Sequence, residues 1–199
     1  MSKIAQLWRI ATHLRELRLA LSGLGMRLGG DEAMGGLTSE ETDALVRWTK
    51  DAGVGTFVEI GTLFGLTART VSYETGKNVI AVDNFCWNPF GLTAAQHEAF
   101  ARRIVAGSGV DIVNSDAIAF LKSLSSRVDV SRALVFLDGS HAYGDVKREI
   151  ETCVEQGARF VAGHDFGNER FGVTKAVREV VGEPDEVCGM CWIRRLADG

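Results

Sequence analysis

The stretch FVEIGTLFGLT, residues 57–67, decides how the rest of the chain is interpreted. An apolar, β-branched run meets an acid, Glu59, and then a turn with two glycines, Gly61 and Gly65, before a run typical of a helix. This order predicts a strand, a ligand-binding turn and a crossover helix. Glycines at these positions permit positive φ angles and close approach of the backbone to a ligand. The G-x-x-x-G spacing differs from the dinucleotide fingerprint, and Glu59 would repel a pyrophosphate, so the turn suits a ligand that carries hydroxyls and a positive charge.

Beyond this stretch, short apolar runs alternate with runs of helical periodicity. Strands that are apolar on both faces and separated by helices require a parallel sheet covered on both sides. The predicted fold class is therefore α/β, a doubly wound, mostly parallel, Rossmann-like sheet with helices on both faces. After the opening strand, the predicted strands are 79–83, 111–113, 133–138 and 159–163, the predicted helices are 66–74, 94–106, 116–124, 143–156 and 173–181, and residues 187–196 are predicted to be extended.

A further helix is predicted just before the opening strand. Thr38 and Glu41 fit the capping box S/T-x-x-E, and Ala44, Leu45 and Trp48 supply a buried stripe. This prediction gives Glu41 a local role at the start of the helix.

Five successive strand ends carry polar or acidic residues, although the strands themselves are apolar. In a doubly wound sheet the ligand lies outside the carboxyl ends of the strands, near the point where the strand order reverses. A buried charge without a ligand costs stability, so these strand ends are candidates for a functional site. They are Glu59 with Gly61 and Gly65, then Asp83, Asn114 to Asp116, Asp138 to His141, and His164 with Asp165.

Two of these acids suit a nucleoside. Asp83 follows Gly61 by 22 residues, the separation at which an acid on the second strand reaches a ribose diol, with a turn or cap residue as the alternative. Asp116 has the chemistry to accept a hydrogen bond from an adenine amino group. Its alternative role is in the first turn of a helix, which Ser115 is predicted to cap.

The motifs EIGTLFGLT, AVDNF, NSDA, FLDGSHAYGDV, GHDF and GVTKAV together resemble class I S-adenosylmethionine-dependent methyltransferases. More narrowly, they resemble the branch that includes macrocin-type sugar O-methyltransferases and cephalosporin hydroxylase-like proteins. The resemblance covers residues 37–196, and the D-G-S-H-A-Y and H-D motifs are its more specific part. It implies that the turn after the first strand receives the methionine part of the cofactor S-adenosyl-L-methionine, with Glu59 orienting this turn or the methionine amino group. It also implies that Asp83 holds the ribose and that Asp116 and Ala117 flank the adenine. The cofactor residues expected on this basis are Glu59, Gly61, Thr62, Gly65, Asp83, Ser115, Asp116, Ala117 and Asp138.

Asp138 and Asp165, at neighbouring strand ends, form an oxygen-rich site that suits Mg²⁺ or another divalent cation. The resemblance implies that acids at these positions can bind a divalent metal that holds substrate hydroxyls. His164 stands where some relatives carry an acid, and imidazole favours Mn²⁺ or Fe²⁺ over Mg²⁺. The expected metal ligands are Asp138, His164 and Asp165; the alternative is that Asp138 bonds only local backbone and the cofactor amine.

The expected catalytic residues are His141 and Asp138. His141 lies in the D-x-x-H of the family branch, and a histidine that titrates near neutral pH can take a proton from a hydroxyl during methyl transfer. In the loop 84–93, Phe85, Trp87 and Phe90 either line an aromatic wall of the substrate pocket or belong to the core.

Residues 4–28 have the leucine periodicity of a basic amphipathic helix, and a glycine-rich connector follows. We expect an arm over residues 1–36 and a methyltransferase core over residues 37–199. The arm is predicted to pack on the core or on a second copy, with a lid and an anionic membrane as the alternatives.

The whole-chain composition is that of an ordinary globular protein, with a formal net charge of −4 that argues against nucleic acid as the main partner. No apolar run is long enough to span a membrane, and we expect a cytoplasmic protein. The four cysteines are expected to be reduced and structural, including the pair Cys188 and Cys191 in an apparent hairpin.

The expected function is methyl transfer from S-adenosyl-L-methionine to a hydroxyl of a small molecule, a sugar or a natural product, with or without a divalent metal. Two alternatives remain at this point: a nicotinamide-dependent oxidoreductase, and a non-catalytic module for nucleoside binding or assembly.

Overall fold

The structure is a computed structural model that describes residues 37–87 and 92–196. The strands are β1 (Thr56–Ile60), β2 (Asn78–Asp83), β3 (Val110–Asn114), β4 (Ala133–Leu137), β5 (Phe160–Gly163), β6 (Glu186–Cys188) and β7 (Cys191–Arg195). The helices are α1 (Ser39–Thr49), α2 (Leu66–Thr75), α3 (Ala94–Val105), α4 (Ala117–Leu121), α5 (Tyr143–Glu155) and α6 (Val173–Val180). The expected N-terminal helix, its glycine connector and Phe90 lie outside the described residues. The division into an arm and a core stays a prediction.

All seven strands form one sheet in the order β3-β2-β1-β4-β5-β7-β6. Strands β1 to β5 pair in parallel, whereas β7 pairs antiparallel with both β5 and β6. The chain builds one half of the sheet outward from β1 and then returns to start the other half with β4. The predicted doubly wound, mostly parallel sheet is thus confirmed, and its order reverses between β1 and β4.

The central strands are buried on both faces, as their apolar composition predicts. Every residue of β4 is buried, and Phe136 from this strand stacks on Phe57 of β1 with ring centroids 6.1 Å apart. Helix α1 buries the predicted stripe of Ala44, Leu45 and Trp48. Within the described residues, no helix is long and apolar enough to cross a membrane.

Helix α4 differs from its prediction at both ends. Its N-cap is Asp116, whose side chain accepts a hydrogen bond from the amide of Ala119 at 3.0 Å, so the expectation that Ser115 caps this helix is wrong. The hydroxyl of Ser115 instead donates to the carbonyl of Asp116. The helix ends at Leu121 because the hydroxyl of Ser123 competes for the carbonyl of Phe120 at 2.8 Å, which favours a turn over further α-helix.

The extended tail is a hairpin. Cys188 and Cys191 face each other across its turn, and both are free thiols, Cys188 partly buried and Cys191 fully buried. The predicted hairpin is confirmed for this pair, and Cys153 is buried as expected, whereas Cys86 is exposed and does not fit the expected structural role. Gly189 in the turn has a φ of +59°, which favours glycine.

The ends of β1 and β4 approach each other closely at Gly61. A Cβ atom built on Gly61 would lie 2.3 Å from the carbonyl oxygen of Asp138 and 2.5 Å from the Cα of Gly139. The φ of Gly61 is +87°, and its amide donates to the carbonyl of Val82 at 2.8 Å. Only glycine satisfies both the space and the backbone angle here.

We therefore expect Gly61→Ala to lower the free energy of unfolding by about 2–4 kcal/mol, from the left-handed backbone together with the clash. Gly76→Ala is the matched control, because Gly76 has a φ of +64° and nothing within 4 Å of the added methyl. The control should lose only about 1 kcal/mol. Chemical denaturation of the two variants measures the difference, and equal losses would show that the close approach is unimportant.

Candidate active site

The turn after β1 is held by two buried or half-buried acids. Glu59 in β1 is 2% exposed and accepts a hydrogen bond from the hydroxyl of Thr62. Asp83, at the end of β2, accepts the amide of Leu63 at 2.8 Å. Leu63 has a φ of +51°, and the turn closes with the amide of Gly65 donating to the carbonyl of Thr62. Glu59 and Asp83 are thus both bonded to the glycine turn that follows β1, and the contact of Asp83 with this turn was not predicted.

The Glu59 carboxyl favours its neutral form in the free protein. Burial raises the pKa of Glu59 to about 8, and the nearby charges of Asp138 and Asp83 act in the same direction, against the hydrogen bond from Thr62. A cation placed beside Glu59 would favour the ionised form instead.

Asp83 organises the end of β2 as well. Its two carboxylate oxygens accept the amides of Leu63 at 2.8 Å and of Phe85 at 2.7 Å, and its carbonyl accepts the amide of Ser115 at 3.1 Å. The turn role that the sequence left open is therefore present. A carboxylate has about four acceptor sites, so two remain for ligand hydroxyls.

The third strand end is more open. Asp116 is exposed at the start of α4, and its neighbours Ser115 and Ala117 are partly buried. One oxygen of Asp116 accepts the amide of Ala119, so Asp116 caps the helix and does not lie in its first turn as the alternative had it. The backbone bond between Ser115 and Asp83 places this segment next to the end of β2.

The ends of β4 and β5 bring the predicted metal and base residues together. The amide of Asp138, the first residue after β4, donates to the carbonyl of Ile60 at 2.8 Å. The amide of His164, the first residue after β5, donates to Leu137 at 3.1 Å. Asp165 follows with a φ of +62°, a conformation that is uncommon for aspartate and is found at functional sites.

His141 lies against Asp165, with its Nδ1 atom 2.9 Å from Oδ2 of the carboxylate. The other oxygen of Asp165 accepts a hydrogen bond from the side chain of Asn168 at 3.2 Å. The ring of His141 stacks on Phe171 with centroids 4.5 Å apart, and 40% of the histidine side chain is exposed. The imidazole is thus oriented on two sides and open to solvent.

The charges of this corner are strongly coupled. Burial raises the pKa of Asp138 to about 7, and the charges of Asp165 and Glu41 also raise it, against those of the histidines. Burial also raises the pKa of Asp165, but the contacts with His141 and His164 outweigh this and hold its pKa well below the usual range. The hydrogen bond to Asp165 raises the pKa of His141. Burial lowers the pKa of His164, but Asp165, Glu41 and Asp138 outweigh this and raise it to about 10.

Glu41 was not predicted to belong to the site. It is 2% exposed on α1, its Oε1 atom accepts the amide of Met190 at 2.7 Å, and the same atom lies 3.3 Å from Nε2 of His164. A sequence signal did exist, because Glu41 falls at the helical spacing of the stripe that Ala44, Leu45 and Trp48 bury. An acid on the buried face of a helix requires a partner.

Within the described residues, Asp138, His164 and Asp165 form a group whose ligand atoms all lie within 4.8 Å of one another. Two carboxylate oxygens and one imidazole nitrogen fit a divalent transition-metal ion. A second group of Glu41, His164 and Cys191 meets the same distance limit. It is the poorer donor set, because burial beside Glu41 keeps the pKa of the Cys191 thiol far above its usual value.

The residues expected in an aromatic wall of the substrate pocket have different surroundings. Phe85 is fully buried, with its ring centroid 5.2 Å from that of His97, and therefore belongs to the core. Trp87 is 62% exposed. The core alternative is thus correct for Phe85, whereas the side chain of Trp87 is largely exposed.

The raised pKa of Glu59 predicts a pH-dependent stability. An unfolded glutamate ionises near 4.5, whereas the folded carboxyl keeps its proton until about pH 8. The contribution of the protonated Glu59 carboxyl to the free energy of unfolding is therefore complete below pH 4.5 and is lost as the pH rises to 8. Between pH 5 and pH 8, the free energy of unfolding of wild type should fall by a few kcal/mol relative to that of Glu59→Gln, because glutamine has no proton to lose. Chemical denaturation at each pH measures the difference. The exposed Glu40→Gln is the control, and a Glu59→Gln profile parallel to wild type would contradict the assignment.

Comparison with known proteins matches residues 58–165 to a family described as a methyltransferase domain. No curated protein sequence matches the chain. Among solved structures, the chain is similar to CalS11, a calicheamicin methyltransferase, with a TM-score of 0.63 and 17% identity over 79% of this chain and 77% of that one. It is also similar to the O-methyltransferase TomG from Streptomyces achromogenes, crystallised with S-adenosylmethionine (TM-score 0.56, 14% identity, 79% and 80% covered). An O-methyltransferase from Bacillus cereus in complex with S-adenosylhomocysteine gives a TM-score of 0.53 at 13% identity, with 83% and 76% covered.

At these identities the solved structures establish the fold, whereas the family match spans more than half of the chain. The chain is therefore an enzyme of the methyltransferase domain family, with the fold of class I S-adenosylmethionine-dependent methyltransferases.

Proposed function

We propose that this enzyme transfers the methyl group of S-adenosylmethionine to a hydroxyl of a small molecule, a sugar or a natural product. The observation that carries the proposal is the pair of His141 and Asp165, whose side chains lie 2.9 Å apart beside Asp138. The pair lies at the carboxyl ends of the strands, near the point where the strand order reverses. A solvent-accessible histidine oriented by a carboxylate is the arrangement that removes a proton from a hydroxyl. CalS11, which shares the fold, is described as a TDP-rhamnose 3′-O-methyltransferase, which is consistent with a sugar hydroxyl as acceptor.

The acids of the first two strand ends support the cofactor assignment. S-adenosylmethionine carries a sulfonium, an amine and a ribose diol. Glu59 and Asp83 both hold the turn that follows Gly61, through the hydroxyl of Thr62 and the amide of Leu63. The free acceptor sites of Asp83 suit the ribose hydroxyls, and the segment Ser115 to Ala117, which is bonded to Asp83, suits the adenine. A nicotinamide dinucleotide would bring its pyrophosphate against the same acids, which disfavours the oxidoreductase alternative.

His141 is the proposed general base. Its Nδ1–H donates to Asp165, which leaves Nε2 as the nitrogen that takes the proton. As the bond between the methyl carbon and the acceptor oxygen forms, the bond between carbon and sulfur breaks. The hydroxyl proton passes to Nε2, and S-adenosylhomocysteine leaves with the electron pair of the broken bond. Phe171 stacks on the imidazole and limits its rotation, so the base keeps its orientation.

Asp138, His164 and Asp165 would hold a divalent metal at this corner. When bound, such an ion supplies positive charge that makes a nearby hydroxyl easier to deprotonate. Asp138 lies between the cofactor turn and this group, since its amide bonds Ile60 and its carboxylate faces His164 at 3.8 Å. Its position therefore suits a role in orienting the acceptor between methyl group and base.

Calorimetry with S-adenosylhomocysteine tests the cofactor half. We expect binding by wild type and a loss of at least about tenfold in affinity for Asp83→Asn, because the amide cannot accept both ribose hydroxyls. Asp111→Asn is the control, since Asp111 is exposed on the neighbouring strand β3 away from the strand end. Protection from thermal unfolding by NAD but not by S-adenosylhomocysteine would revive the oxidoreductase.

Mass spectrometry on a panel of sugar nucleotides and hydroxylated natural products tests the transfer, through gain of one methyl group from S-adenosylmethionine. With an acceptor in hand, His141→Gln should lower kcat by about 10²–10⁴-fold and leave the affinity for S-adenosylhomocysteine unchanged. The wild-type rate should rise with pH through a pKa above the 6.5 of an ordinary histidine, because the base must first lose its proton. A variant that retains the wild-type rate and pH profile would remove His141 as the base.

A further inference from the structure

The two ring nitrogens of His164 have different surroundings. Nε2 lies 3.3 Å from Oε1 of Glu41, within hydrogen-bond distance. Nδ1 lies 3.8 Å from Asp138 and 3.6 Å from Asp165, too far for a hydrogen bond to either carboxylate. One side of the ring thus meets a bonded partner, and the other side faces two acids across a gap.

The gap has the dimensions of a metal site. Ligands about 2.1 Å from one ion stand about 3.0 Å apart in octahedral and about 3.4 Å apart in tetrahedral coordination, within several tenths of an ångström of the 3.6 and 3.8 Å measured from Nδ1. The three ligand atoms of Asp138, His164 and Asp165 all lie within 4.8 Å of one another. A metal ion therefore spans the separation between Nδ1 and the two carboxylates, which is too long for a hydrogen bond.

Glu41 cannot turn away from His164. The amide of Met190 holds the same Oε1 atom at 2.7 Å, and the residue is 2% exposed. Gly189 packs directly against the same carboxylate, because a Cβ built there would lie 2.5 Å from Oε1. A buried carboxylate fixed in this way requires the hydrogen on Nε2, which leaves the lone pair of the neutral ring on Nδ1.

We propose that Glu41 is the positioning residue that makes His164 a metal ligand and thereby selects a transition-metal ion over Mg²⁺. The inference rests on the proposed function, because that function places the acceptor hydroxyl beside Asp138, His164 and Asp165. A carboxylate that accepts the distal N–H of a ligating histidine fixes its tautomer and raises its basicity. Mn²⁺, Fe²⁺ and Co²⁺ accept imidazole readily, whereas Mg²⁺ prefers oxygen ligands. Binding replaces any proton on Nδ1, and that proton passes to solvent.

The test uses the full-length protein stripped of metal, with MnCl₂ as the probe and MgCl₂ as the competitor. Free Mn²⁺ is counted by its electron paramagnetic resonance signal, with and without S-adenosylhomocysteine. We expect Mn²⁺ to bind at least about tenfold more tightly than Mg²⁺. Pulsed spectra of the bound Mn²⁺ should show coupling to a nitrogen nucleus, which a purely structural histidine would not produce.

Four variants separate the possible roles. Glu41→Gln, which keeps an acceptor for Met190, should weaken Mn²⁺ binding by about 10–100-fold, and the exposed Glu40→Gln should not. His164→Asp should abolish the nitrogen coupling and shift the preference toward Mg²⁺. Cys191→Ser should leave binding unchanged, because Cys191 is grouped with Glu41 and His164 and not with the proposed ligands Asp138 and Asp165.

Several results would overturn the proposal. They are wild-type affinity for Mn²⁺ in Glu41→Gln, equal binding of Mg²⁺ and Mn²⁺, a bound Mn²⁺ without nitrogen coupling, and loss of binding in Cys191→Ser. Absence of ion binding in a protein that binds S-adenosylhomocysteine would also refute it. His164 would then be a structural residue that balances the charges of the neighbouring acids. Failure to bind S-adenosylhomocysteine would instead refute the proposed function, and the Mn²⁺ measurement without it keeps the two outcomes distinct.

Discussion

The close approach of β1 and β4 at Gly61 is the constraint on which the rest of the site depends. The amide of Asp138 donates to Ile60 at 2.8 Å, and the absent side chain of Gly61 lets the two backbones meet. Because of this contact, the turn held by Glu59 lies directly beside Asp138 at the end of β4. A methyl donor and its acceptor need such adjacency, since the transfer requires near-contact of the reacting atoms.

Much of the fold and part of the site followed from the sequence for a physical reason. Strands that are apolar on both faces admit few arrangements other than a covered parallel sheet, and in such a sheet the strand ends meet at one edge. Asp138, His164 and Asp165 were expected together on that basis, and their ligand atoms lie within 4.8 Å of one another. Local hydrogen bonding was harder to predict, because Ser115 and Asp116 are both good caps and the backbone angles at the end of β3 decide between them.

The role of Glu41 shows where prediction from the sequence stopped. Its partners, Met190 and His164, come from the turn between β6 and β7 and from the end of β5. Their meeting depends on β7 inserting antiparallel between β5 and β6, and an extended tail in the sequence does not specify that order. The acid on the buried stripe of α1 indicated that some partner exists, but not which one.

The bond between Met190 and Glu41 also bears on how the protein is made. It joins residues 149 positions apart and belongs to the turn that follows β6. During synthesis, the first helix of the core therefore carries a carboxylate without this partner until residue 190 has left the ribosome. The contact that fixes Glu41 beside His164 is therefore completed only when the hairpin docks on the sheet.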